Sequence, residues 1–324
     1  MQHRSHIFIP VLFLFSFIFS GCIHEYPTAE EINPTDIDFG VELELQLHWD
    51  QFAEQINFET KAQEKNHRLI IEMMRNGQTW GRDEIWVSDD DFNDNILTRR
   101  LPFKLKPFEY QIGVWYDRRS SDSGTSYDAT DISEIKPLNR EPSWEESQLC
   151  GYAYSSINLT SYKGGRNVKL LKQIGLLHAG ARFELVSTDI KEFIRAQTEN
   201  LEAGETYTIT LDYGVATPTG FNILTGKALG SERKSQTGRM RIPFIDLQEL
   251  TIASGFVFCD EEDILEMSVT IHNSARVPII KTPPFRFTIR RGALTRVFAD
   301  FLSEEFTGSF IIDNKWEGEI IVEL

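Results

Sequence analysis

The sequence predicts an all-β protein made of sandwiched sheets, and two observations carry that expectation. Residues 41–49 alternate strictly, with Val41, Leu43, Leu45, Leu47 and Trp49 on one face and Glu42, Glu44, Gln46 and His48 on the other. A period of two with one polar face is the pattern of a half-buried strand. Short apolar runs then recur at residues 68–74, 84–87, 108–116, 151–159, 181–186 and 206–213, and again at 255–258, 265–271, 286–289 and 320–324. Polar, turn-rich stretches such as 118–125 separate them, as in β-sandwiches.

One short helix is expected after Ser187, Thr188 and Asp189, which offer N-cap side chains. Glu192 stands three places after Asp189, and Ile190, Phe193 and Ile194 share one face. A second, more weakly patterned helix is expected around 49–64. The polar stretch 226–238, with three glycines, is the candidate linker. It would divide the chain into an N-terminal sandwich domain (39–225) and a C-terminal one (239–324). No internal repeat is apparent, so a solenoid or propeller is not expected.

Residues 1–21 read as a bacterial signal peptide: Arg4, an apolar run from Ile7 to Phe19, then the small residues Ser20 and Gly21 before Cys22. The run spans 13 residues, short of the roughly 20 that a membrane-crossing helix needs. This is the layout cut by a lipoprotein signal peptidase between Gly21 and Cys22, which leaves Cys22 acylated. Phe19 stands where Leu is usual. Several acyl chains on one residue hold a protein on a membrane, whereas one chain binds only marginally. Residues 22–38, with Pro27 and Pro34 and few apolar side chains, read as the acylated tether.

The formal net charge is −16. Such a surface repels nucleic-acid phosphates and anionic lipid head groups, so neither partner is expected. Besides Cys22 there are Cys150 and Cys259, each in an apolar stretch. In an exported protein they either pair or stay as buried thiols. No hydrolase, metalloprotease or nucleotide-binding motif is present, and the histidines are scattered. The acidic run 89–94 fails the calcium-loop pattern, because Asp94 and Arg100 stand where Gly and Glu are needed. No catalytic, cofactor-binding or metal-ligating residue is therefore assigned, and the chain is not expected to be an enzyme. Trp115, Tyr116 and Tyr127 are of the type that stacks on sugar rings, although aromatics at strand spacing are more often core.

Several segments together resemble a family of exported lipoproteins from Bacteroides-type bacteria, related to fimbrial anchor and minor subunits. They are the lipobox with Cys22–Pro27 (CIHEYP), the alternating VELELQLHW, YQIGVWYD at 110–117 and YDATDISEI at 127–135. ARFELVSTDIKEF at 181–193, LDYGVATPTGFN at 211–222 and the closing IIDNKWEGEIIVEL follow in the same order. The resemblance implies two tandem transthyretin-like sandwiches and a lipid-anchored place on the outer membrane at the cell surface. It also implies fimbrial subunits as partners, joined by β-strand addition. Polymerising members are typically cut after a basic residue, which releases an early strand. Here no Lys or Arg lies between Cys22 and Thr60, and the first is Lys61. That favours an anchor or accessory subunit that keeps its first strand. The alternative is a free-standing surface lipoprotein that binds a glycan or host ligand through loops such as 118–127.

Overall fold

The structure is a computed structural model that describes residues 41–48, 67–120, 124–138, 150–163, 168–197, 206–241, 248–303, 306–313 and 319–323. The signal peptide, the tether and the expected helix around 49–64 lie outside the described residues.

The first unit contains β1 (Val41–His48), β2 (His67–Arg75), β3 (Gln78–Val87), β4 (Ile96–Arg100), β5 (Glu109–Ser120) and β6 (Gly124–Thr125). It continues with β7 (Tyr127–Asp128), β8 (Lys136–Pro137), β9 (Cys150–Asn158), β10 (Val168–Gly175) and β11 (Leu177–His178). β1 lies between β10, its parallel neighbour, and β4, its antiparallel one. The facing sheet runs in the order β11-β9-β5-β2-β3. Leu43, Leu45 and Leu47 of β1 meet Leu69, Ile71, Ile112 and Val114 of that sheet to form the first core. Asn76 and Gly77, with φ of 52° and 74°, turn β2 into β3, the left-handed geometry a tight hairpin demands.

β2 shows no alternation: its first eight residues are all buried. A strand reads this way when both faces of its sheet are covered. The outer face carries a second core of Ile70, Trp115, Tyr127, Ile132, Ile135, Tyr152, Phe221, Ile223 and Phe258.

The second unit contains β12 (Gly180–Ser187), the helix Ile190–Gln197, β13 (Thr206–Tyr213), β14 (Gly220–Asn222), β15 (Lys227–Leu229) and β16 (Ser235–Arg241). After these come β17 (Leu250–Phe258), β18 (Glu262–His272), β19 (Pro278–Lys281), β20 (Phe285–Arg290), β21 (Leu294–Ala299), β22 (Gly308–Asp313) and β23 (Glu319–Glu323). One sheet runs β17-β12-β21-β22-β23; the other runs β16-β13-β18-β19, with β20 also paired to β18. Phe183, Leu185, Ile209, Leu211, Val269 and Phe287 fill the space between them. The fold is therefore all-β and sandwich-type, with one α-helix among the described residues. Asp189 precedes that helix, and its carboxylate accepts the Leu302 N–H at 3.1 and 3.2 Å. The expected cap residue thus ties the helix to the turn after β21.

The stretch 226–238 is not a linker between independent sandwiches. β13 lies before it and pairs with β16 and with β18 beyond it, so one sheet spans the expected boundary. The core of the second unit begins at Ala181 and the first core ends at Leu176, which puts the break between units near residue 179. Polar, glycine-bearing hairpins and linkers share a composition; only long-range pairing separates them. The β14–β15 hairpin instead lies on the first unit. Phe221 exchanges both main-chain hydrogen bonds with Ile135 at 2.8 Å, and Ile223 N–H donates to the Ile132 carbonyl at 3.0 Å.

Candidate functional site

β1 is the element with the clearest capacity for function. Alternate side chains of Val41, Leu43, Leu45 and Leu47 are at most 2 % exposed. The strand is paired along its full length to β10 and over five residues to β4. Burying four such side chains contributes on the order of 6–12 kcal/mol as an upper estimate. A strand held this way fills a groove between β10 and β4; without it, two rows of main-chain groups and a strip of apolar core would face water. Ladder hydrogen bonds hold a strand seated this way, and alternate pockets fix its register.

Buried ion pairs brace the opposite sheet. Arg68 Nε donates to Asp117 Oδ1 at 3.0 Å, and its second nitrogen donates to Asp117 Oδ2 and to the Tyr127 carbonyl. The Trp115 indole N–H completes the set at 2.7 Å from Asp117 Oδ2. Burial pushes the Asp117 carboxyl above its ordinary value, while the Arg68 and Trp115 bonds pull it back. Arg82 reaches Glu72 and the carbonyls of Ala129 and Thr130. Two arginines thereby clamp the segment 127–138 over the sheet. Arg99 of β4 pairs with Asp83 of β3 at 2.8 and 3.2 Å, linking the two sheets of the sandwich at one edge. Sequence reading missed these pairs, since partners 10 to 59 residues apart leave no local signal.

The sugar-stacking candidates are core. Trp115, Tyr116 and Tyr127 are 0 %, 1 % and 3 % exposed, so none offers a platform. Trp115 packs edge-on against Tyr127, and Tyr116 accepts or donates a 2.8 Å bond with His67 Nδ1. Cys150 and Cys259 are both buried and unpaired. Burial holds the Cys150 thiol well above its ordinary range and raises that of Cys259 to about 12. In the acidic run, Asp91 accepts bonds from the N–H and hydroxyl of Ser88. Among the described residues no three His, Cys, Asp or Glu side chains converge on a metal position.

A cleft of about 930 Å³ opens in the second unit beside Thr188, Phe285, Arg286, Asp300 and Thr307. Its polar groups are already engaged: Asp300 with Thr188 and Thr307, Arg286 with Glu266. Gly21 and Cys22, the residues assigned to cleavage and lipid attachment, lie outside the described residues.

A sequence model for a family of unknown function, DUF6562, matches residues 34–324. The chain belongs to that family. No curated protein matches it. Among solved structures, the chain is similar to the fimbrial anchor protein Mfa2 from Porphyromonas gingivalis, at 10 % identity and a TM-score of 0.45, covering 88 % of this chain and 99 % of that one. It is similar to a fimbrial assembly protein from Parabacteroides distasonis, at 12 % identity and a TM-score of 0.41, covering 87 % and 98 %. It is also similar to an adhesin candidate from Bacteroides ovatus, at 11 % identity and a TM-score of 0.49, covering 88 % and 96 %. Identities this low transfer no role to any residue. Among the described residues no helix is long and apolar enough to cross a membrane.

Proposed function

We propose that this chain is a surface lipoprotein acting as a fimbrial anchor or accessory subunit. Cleavage after Gly21 leaves Cys22 acylated, and the acyl chains hold the protein on the outer membrane. The seat of β1 supports the anchor reading. β1 is the central strand of its sheet and supplies four core side chains. No Lys or Arg lies between Cys22 and Thr60 to let a trypsin-like protease separate it from the lipid. A subunit that keeps this strand keeps its groove filled, accepts no donor strand there, and ends a filament rather than extending it. Strand addition to a neighbouring subunit then falls to the sheet ends, which among the described residues include β10, β4, β17 and β23.

The test is mass spectrometry of mechanically sheared surface filaments from cells carrying the wild-type chain or Cys22→Ala. Presence in filaments, with filaments shed into the medium by the variant, is the expected result. A protein that stays in the membrane fraction while no filament depends on it would overturn the reading.

A further inference from the structure

We propose that one end of the first sandwich rests on the anionic surface of the membrane. The proposal builds on the reading of Cys22 as the acylated residue, and adds which face of the protein meets the lipid. Strand direction locates that end. β1 starts there at Val41, and Leu105 exchanges both main-chain hydrogen bonds with Val41, at 2.8 and 2.9 Å. β2 arrives there at Arg75 and β3 departs at Gln78. β5 begins there at Glu109, opposite Asn158 where β9 ends. The chain leaves at the opposite end, past Gly175 beside His48 and His178 beside Gly151, into β12. The entry end is thus the one nearest in sequence to Cys22, and the second unit extends from the other.

The chemistry of the entry end differs from the rest of the molecule. Among the described residues it carries Arg75, Lys104, Lys106 and Lys163, on a chain of formal net charge −16. Glu44 and Glu109 are exposed acids near it, and Glu42 is paired with Arg100. Two of the cations sit over aromatic rings: Arg75 is 3.4 Å from the centre of Phe108, and Lys106 is 5.5 Å from that of Trp80. Trp80 is 38 % exposed and packs edge-on against Phe108 and Tyr110, at 6.3 and 5.8 Å. A partly exposed indole with Lys106 over it, beside a Phe108 ring that carries Arg75, suits the headgroup layer, where aromatic rings settle and Lys and Arg meet anionic lipid. Cys22 and Val41 are 19 residues apart, a reach of no more than about 65 Å. Acylation makes the contact intramolecular, so a weak patch is enough to orient the protein.

The test uses the lipidated full-length protein, extracted in detergent and returned to vesicles of anionic or neutral phospholipid. Environment-sensitive labels are placed on Gln78→Cys at the entry end and on Asp90→Cys at the other; both positions are exposed. On anionic vesicles the label at 78 should shift to the blue and lose signal to a lipid-borne quencher, while the label at 90 does neither. Lys104→Glu with Lys163→Glu, two exposed positions, should abolish the response at 78 while the protein still floats with the vesicles. Trp80→Ala should weaken it, and high salt should reverse it. Flotation with the label at 78 left in water would overturn the docking alone. Failure of the wild-type protein to float would overturn the Cys22 reading and the docking with it.

Discussion

Leu45→Ala tests whether β1 is a structural member of the sandwich. Leu45 is fully buried at the middle of the strand, and its Cα partners are Lys172 on β10 and Arg99 on β4. The substitution leaves the main-chain ladder intact and removes three carbons from the core. Their transfer alone is worth about 2.4 kcal/mol. A residual cavity between packed leucines brings the expected loss to about 2–5 kcal/mol. Domains of this kind are stable by only about 5–15 kcal/mol, so the variant should unfold at clearly lower urea. Glu44→Ala is the matched control on the same strand: the side chain is exposed, and the expected change is within about 0.5 kcal/mol. Urea unfolding followed by tryptophan fluorescence reads both. If Leu45→Ala costs no more than Glu44→Ala, β1 is not holding the first core and the case for a self-filled groove collapses.

The clamp on the second core makes a separate prediction. Arg68→Ala leaves the Asp117 carboxylate buried with only Trp115 as partner and should cost about 3–5 kcal/mol; an unchanged midpoint would show that the pair is dispensable. The segment 127–138 should also loosen in acid. Bonds from Thr130 hold the Asp128 carboxyl below its ordinary value, and bonds from Ser133 do the same for Asp131. Because both are depressed in the folded state, their contribution is present above the unfolded value near 4 and is lost as pH falls through the folded values. Hydrogen exchange in this segment should accelerate as pH drops below about 4 once intrinsic rates are divided out, and Asp128→Asn with Asp131→Asn should remove that pH dependence. Finally, Cys150 and Cys259 should resist thiol reagents in the native state and react on unfolding; rapid native labelling would contradict their burial.

Local periodicity made much of the fold legible in the sequence. β1 and β13 occupy runs that alternate polar with apolar, and the helix follows the Ser187–Asp189 signal closely. β10 escaped notice because adjacent Leu170 and Leu171 break the alternation; one is half-buried and the other 53 % exposed at the sheet edge. The candidate site was partly legible. The absence of Lys and Arg between Cys22 and Thr60 and the alternating strand are sequence facts, whereas the position of β1 between β10 and β4 is not.

By itself, the sequence determined the all-β class and the buried face of β1, because each depends on neighbours within a few residues. Tertiary structure decided where the units divide and what covers β2. It also decided which arginine meets which carboxylate, and what gathers Arg75, Lys106 and Trp80 at the end where β1 begins. Those outcomes depend on pairing between strands far apart in the chain, where ladder hydrogen bonds and shared burial choose among segments whose local composition is the same.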